Sequence, residues 1–392
     1  MVAKPLSQKK RMRIAHVITG LGDGGAEGAL YRLINADKEN AHQVISLTGT
    51  GKYGPLLVEA GVRVDALGLP RGRITSSGMW RLWDVIKASS PDVVQTWMYH
   101  ADLIGGIVAK LLGRRAIVWG IRNSSIDPRL ISRSTRIVAR MCAWASGSIP
   151  LRIVSCSSRA ADVHIQLGYD RRKLVIIPNG YDMSCMAPDQ ELRTKVRTEW
   201  GVGNRTTVLG MVARWDPQKD HRTLIGGLRA FNRRAQASWR FVLIGSGMVG
   251  SNAELVELLE EAGIAEKVVL LGARRDIAAV MNALDLHVLS SASEGFPNVV
   301  AEAMACGTPC VVTDVGDAAL IVGTTGWVVP ARDPEQLAKG IESAVAAMRD
   351  GDAWFARQQA ARAQIADKFG IDRMVRAYAE VWRSTMRADE AR

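Results

Sequence analysis

The 392-residue chain is poor in cysteine, with five in all. Cys142, Cys156, Cys185, Cys306 and Cys310 fall in apolar surroundings without paired spacing. That excludes a disulfide framework and leaves them as small buried hydrophobes, with a metal or disulfide role at the Cys306–Cys310 turn as the alternative. No stretch approaches the ~20 apolar residues of a membrane span. The basic start, MVAKPLSQKKRMRIAHVITG, runs into a short strand rather than a signal-type apolar core, so a cytoplasmic protein is expected. No internal repeat and no low-complexity segment is present, which excludes solenoids and tails. At +12 the charge is far from neutral, and the excess is uneven. Lys and Arg outnumber Asp and Glu 26 to 13 up to Cys185, against 25 to 26 beyond it. A basic first half points to an anionic partner: nucleic acid, a membrane surface or a phosphorylated substrate. Aromatic interleaving and nucleic-acid modules are missing, so no nucleic-acid partner is expected.

Short β-branched runs alternate with amphipathic helical patterns along nearly the whole chain. The first half predicts strands near 13–18, 43–47, 63–67, 92–97, 116–121, 153–157 and 174–178. The second predicts them near 208–213, 240–245, 267–272, 284–290, 309–313 and 326–329. This is the pattern of parallel sheets covered on both faces by helices. The alternation restarts after a Pro- and Asp-rich stretch at 181–188. Residues 1–185 and 186–370 therefore form two α/β domains, and 371–392 a terminal helix that packs back on the first. Ligands bind such sheets at the carboxyl ends of their strands, here in a central cleft.

The most specific stretch is SSASEGFPNVVAEAMACGTPCVVTD, residues 290–314. It reads as a strand end, a tight turn and a helix that Gly307 terminates. The backbone N–H groups of Phe296, Asn298 and Val299, with Pro297 suited to the first turn, then open a helix, a ready anion site. Glu294 precedes that site and Glu302 lies about one turn inside the helix. Each carboxylate accepts two hydroxyls, so a diol on each side of a phosphate fits a sugar nucleotide. By spacing alone, a capping Glu and a solvated Glu fit as well.

Four further motifs lie at strand ends. In GMVARWDPQKDHRTLI, Arg214 and Lys219 share one loop and suit a diphosphate leaving group. In VITGLGDGGAEGAL, Gly20, Gly22 and Gly25 satisfy G-x-G-x-x-G, but no acid ends the second strand as a dinucleotide enzyme requires. The loop with Gly24 and Gly25 is instead a close backbone approach to a ligand, matched by Gly245 in LIGSGM. His100 opens a helix after a strand and faces the cleft or packs as a cap. Arg122 and Asn123 end the next strand on the same side, where an acceptor would lie, whereas His16, inside a strand, reads as core. Last, Arg129, Arg133, Arg136 and Arg140 form one helical stripe, fit either for an anionic membrane surface or for a solvated face.

Together these segments, with VIIPNGYD and FVLIGSGM, resemble the family 4 retaining glycosyltransferases of the GT-B fold over nearly the whole chain. The resemblance implies two Rossmann-like parallel-sheet domains facing a central cleft, with a nucleotide-sugar donor held mainly by the second. It implies that Arg214 and Lys219 hold the diphosphate, that Glu294 meets the donor sugar and that Glu302 holds the ribose. His100 then lies near the transferred sugar, and Gly24 and Gly25 approach donor and acceptor. The phosphate loop departs mildly from the family, with Ala213 where glycine is commoner. The resemblance implies retaining transfer from a nucleotide sugar, UDP-linked by preference, with no metal and no cofactor required, and no Asp-x-Asp lies at a strand end to hold a metal. The expected acceptor is a glycan or a polyprenyl-diphosphate-linked glycan, met at the inner face of the membrane. Alternatives are a silent donor-binding subunit and a nucleotide-sugar epimerase.

Overall fold

The computed structural model describes residues 11–70, 75–123, 131–203, 206–235 and 238–390. Seven strands form the first sheet: β1 (Arg13–Ile18), β2 (Ala41–Ser46), β3 (Arg63–Ala66), β4 (Val93–Trp97), β5 (Ile117–Ile121), β6 (Arg152–Ser155) and β7 (Leu174–Ile176). Six form the second: β8 (Thr207–Val212), β9 (Trp239–Ile244), β10 (Val268–Leu270), β11 (Leu286–Leu289), β12 (Cys310–Thr313) and β13 (Trp327–Val329). Every predicted strand is present, its ends within two residues of the expected ones. Central strands such as β4, β5 and β11 are buried at every residue. That is why they do not alternate apolar with polar residues as half-exposed strands do, although β4 carries Gln95 and Thr96 and β11 carries His287.

The sheets are wholly parallel and share one topology, β3-β2-β1-β4-β5-β6-β7 and β10-β9-β8-β11-β12-β13. Strand order reverses between β1 and β4 in the first and between β8 and β11 in the second. At such a switch point the connecting helices leave to opposite faces and open a crevice at the strands' carboxyl ends. Apolar clusters fill both faces of each sheet.

The chain crosses between the sheets twice, at Tyr181 and at Gly370. The crossings are bonded together: the Tyr181 N–H donates to the Phe369 carbonyl and the Ile371 N–H to the Tyr181 carbonyl, both at 2.9 Å. The helix Gly351–Phe369 packs on the second sheet through Ala361, Ile365 and Phe369. After Gly370 the helix Ile371–Glu390 packs on the first through Met374, Tyr378 and Trp382. Tyr378 and Trp382 are fully buried, and the Trp382 indole donates to Gln95 at 3.1 Å. Each such aromatic contributes about 1.5–3 kcal/mol by burial, enough to fix the last helix to the first domain.

Candidate functional site

The residues singled out by sequence gather at the two switch points. Gly24 and Gly25 follow β1 and His100 follows β4; Arg214 and Lys219 follow β8 and Glu294 follows β11. The carboxyl edges face each other across a narrow seam. A Cβ at Gly25, in the first domain, would stand 2.7 Å from the Asn298 amide in the second.

The Glu294 turn is braced from below. Its loop is tied to the Lys219 loop by the Ala292 N–H, which donates to the Gln218 carbonyl at 2.8 Å, and by the Ser290 hydroxyl, which donates to the Lys219 carbonyl at 2.9 Å. Gly316 holds a left-handed conformation (φ 54°), and a side chain there would strike the Glu294 and Gly295 carbonyls. Gly245 (φ 143°) likewise lies flat on the Ala213–Arg214 backbone. The Lys219 ammonium lies 2.5 Å from Glu294 Oε1, which also accepts from the Ser291 hydroxyl at 2.7 Å. Arg214 is half-exposed and bonds Asp216 at 2.9 Å. Burial raises the Asp216 carboxyl, but the Gln218 N–H and the Arg214 guanidinium offset this and leave it below its ordinary value.

The helix Asn298–Ala305 begins at Pro297 without a side-chain cap, so its first N–H groups are available to an anion. Glu302 sits inside its second turn. Burial raises the Glu302 carboxyl, opposed first by Arg32 and then by Lys52. His100 is half-buried in the first turn of the helix Tyr99–Leu111, and burial lowers its pKa, so the ring is neutral at pH 7. Met98, just before it, adopts a positive φ of 73°.

Three placements were not legible in the sequence. The Asn298 side chain is spent on the first domain: its Oδ1 accepts from Asn179 at 2.9 Å, Tyr181 at 2.5 Å and Arg32 at 3.2 Å. Arg122 stacks over the Trp97 ring at 4.3 Å and donates to Asn179 and to the Tyr378 hydroxyl, both at 2.6 Å. Its guanidinium thus braces the seam and the last helix, next to Asn123. Asp317, in the second domain, caps the helix Ser158–Leu167 of the first, accepting from the Ser158 N–H and hydroxyl at 3.0 Å and the Arg159 N–H at 3.3 Å. Each of these hydrogen bonds joins residues more than fifty positions apart, so no local pattern announces it.

The basic stripe lies on the helix Arg133–Ala145, while Arg129 falls outside the described residues. Arg133 and Arg140 are exposed and Arg136 is partly tucked in. Ile137, Met141 and Trp144 stand on the surface beside them, Trp144 88% exposed. Among the described residues no group of acidic, His and Cys side chains could hold a metal ion, and no helix is long and apolar enough to cross a membrane.

Comparison with known proteins gives two family matches: Glycosyltransferase Family 4 over residues 23–184, and Glycosyl transferases group 1 over residues 206–347. The chain is 25% identical over 239 residues to the Escherichia coli UDP-Gal:alpha-D-GlcNAc-diphosphoundecaprenol alpha-1,3-galactosyltransferase, covering 60% of each chain. It is 31% identical over 204 residues to the D-inositol 3-phosphate glycosyltransferase of Gordonia bronchialis, covering 50% of this chain and 44% of that one. The matches thus span less than two thirds of either relative. In fold it is similar to Anabaena HepE, whose crystal structure holds UDP and glucose, with TM-score 0.83, 22% identity, and 95% of this chain and 100% of that one covered. It is also similar to WaaG, a glycosyltransferase involved in lipopolysaccharide biosynthesis, with TM-score 0.73, 16% identity, and 94% and 99% covered.

Proposed function

The chain belongs to the family 4 glycosyltransferases of the GT-B fold, and from that premise we propose that it moves a sugar from a UDP-sugar to a phosphorylated, lipid-linked glycan with retention of configuration. One observation carries the reading. The cation of the phosphate loop and the carboxylate of the sugar turn meet at 2.5 Å beside an uncapped helix N-terminus. A donor diphosphate replaces Glu294 as the partner of Lys219, and the sugar hydroxyls take the freed carboxylate.

The chemistry follows from these groups. The bond from the anomeric carbon to the diphosphate oxygen breaks, and the electron pair leaves with the phosphate. Arg214, Lys219 and the backbone N–H groups of Phe296, Asn298 and Val299 stabilise the departing charge. The acceptor hydroxyl attacks from the same face, and its proton passes to a phosphate oxygen, so no carboxylate nucleophile is needed. Neutral His100 orients the transferred sugar by hydrogen bonding. Glu302 accepts the ribose hydroxyls. A hexosyl or N-acetylhexosaminyl group suits this site.

The acceptor reading has separate support. The names of both curated relatives carry a phosphorylated acceptor, and the basic excess of this chain lies in the acceptor-side half. The helix Arg133–Ala145 supplies a basic and apolar face for an anionic bilayer, where such an acceptor would reside. The test is thermal unfolding with UDP, GDP, ADP and their sugars. A ligand at 100 times its Kd adds ~2.7 kcal/mol of apparent stability. A shift with UDP that is lost in Glu302→Ala supports the reading. No shift with any nucleotide overturns it in favour of a donor-free subunit, and donor epimerised without acceptor points to an epimerase.

A further inference from the structure

Arg32 comes from the first domain, on the helix Gly25–Ala36, and its guanidinium reaches across the seam to the second. Its Nε donates to the Gly180 carbonyl at 2.9 Å, and one Nη donates to Asn298 Oδ1 at 3.2 Å. The other Nη lies 3.7 Å from Glu302 Oε1. The flat face stacks on the Tyr181 ring at 4.7 Å. All four contacts fix the orientation of the fork, because a guanidinium has few ways to satisfy a carbonyl, an amide oxygen, a carboxylate and a ring at once. Glu302 and Arg32 are both largely withdrawn from solvent, with 14% and 22% of their side chains exposed. A carboxylate so buried stays ionised only with a cation beside it.

We propose that Arg32 is a positioning residue for the ribose: it holds Glu302 charged and aimed, and since it belongs to the other domain, the ribose site is complete only when the cleft is closed. The inference rests on the donor reading above. Donor binding and domain closure are thereby coupled through one ion pair. An opened cleft carries Arg32 away and leaves Glu302 without its cation. Asn298 reinforces the coupling, since the same guanidinium holds the first residue of the helix that carries Glu302.

The test compares UDP with 2′,3′-dideoxyuridine diphosphate, which keeps base and diphosphate but lacks both ribose hydroxyls. Dissociation constants are measured by calorimetry for the unaltered protein, Arg32→Gln and Arg32→Lys. If Arg32 acts through Glu302, Arg32→Gln weakens UDP about tenfold and leaves the dideoxy compound within about twofold, and Arg32→Lys recovers most of the loss. In turnover the same variant raises the donor KM and changes kcat little. Equal losses for both nucleotides, or no loss for either, overturn the inference while leaving the donor reading intact. An unaltered protein that binds neither nucleotide overturns both.

Discussion

Lys219 Nζ and Glu294 Oε1 are 2.5 Å apart, so the cation proposed to meet the diphosphate and the carboxylate proposed to meet the sugar are paired with each other. Glu294→Gln removes the charge that binds Lys219 and replaces one of the two oxygens that would accept sugar hydroxyls with a donor. Turnover should fall by about 10²-fold, the cost of a misplaced sugar. Free UDP should bind as well as before or better, because Lys219 is released to the phosphate. Calorimetry with UDP beside initial rates with UDP-sugar separates the two effects. A variant that loses both equally would mean that Glu294 is a structural brace of its turn.

Arg214→Ala and Lys219→Ala test the other side of the reaction. Each removes one positive group from the departing diphosphate and should lower kcat by roughly 10²–10³-fold, the usual value of one preorganised donor. The loss belongs in kcat more than in donor KM, since the charge to be stabilised grows as the bond breaks. Loss confined to KM would assign these residues to uniform binding.

Asp317 stabilises the pair of domains rather than either one. Its carboxylate is 4% exposed and satisfies three donors at the start of a helix in the opposite domain. Asp317→Ala should cost about 1–2 kcal/mol, as caps do. Because the lost bonds cross the seam, the single unfolding transition should broaden or split. Calorimetric unfolding checks this, and Asp317→Asn should fall between the two.

Stability should fall as pH drops from 7 to 5. Burial holds His164 and His221 down to about 4 and His287 down to about 3. His16 is pushed well below its ordinary value by burial and then by His42. The His16 ring has a fixed role: the Trp97 indole can only donate, at 3.2 Å, so Nδ1 accepts and Nε2 donates to His42 at 3.0 Å. Unfolded, these rings take up protons near pH 6.5, while the folded rings do not. Their stabilisation is whole above that value and is lost below it, by about 1–2 kcal/mol per ring between pH 7 and pH 5. Asp102 acts in the opposite sense, since burial raises its carboxyl to about 7, but it is outnumbered. Denaturant titration at both pH values should show the drop, and His287→Gln should flatten it.

The strands and the switch-point residues were legible because each depends on local pattern: an apolar run, a glycine turn, a charge at a strand end. Glu294, Lys219 and Arg214 follow their strands within a few residues, so their side of the sheet was fixed by alternation alone. Asn298, Arg122, Arg32 and Asp317 were not legible in this way. Their partners lie on other elements, and only the packing of one domain on the other brings them together. Arg32 and Asp317 carried no signal; Asn298 and Arg122 carried a signal for the cleft, and the structure adds contacts that no spacing encodes.

The helix Arg133–Ala145 should hold the protein to anionic bilayers. Its exposed face combines Arg133 and Arg140 with Ile137, Met141 and Trp144, and the indole is 88% exposed. Water-facing apolar groups beside arginines are unfavourable in a purely solvated helix and suit the interface between headgroups and acyl chains. Each arginine near such a surface contributes ~1 kcal/mol, and the tryptophan adds apolar burial. Trp144→Ala should therefore weaken binding to vesicles containing phosphatidylglycerol even at high salt, where charge is screened. Arg133→Gln with Arg140→Gln should weaken it mainly at low salt. Transfer to a soluble glycan acceptor should be unchanged in both variants, because the Arg133, Arg140 and Trp144 side chains are exposed on the surface of the helix. Binding of the unaltered protein that is equal for neutral and anionic vesicles, or absent, would return this helix to an ordinary solvated face.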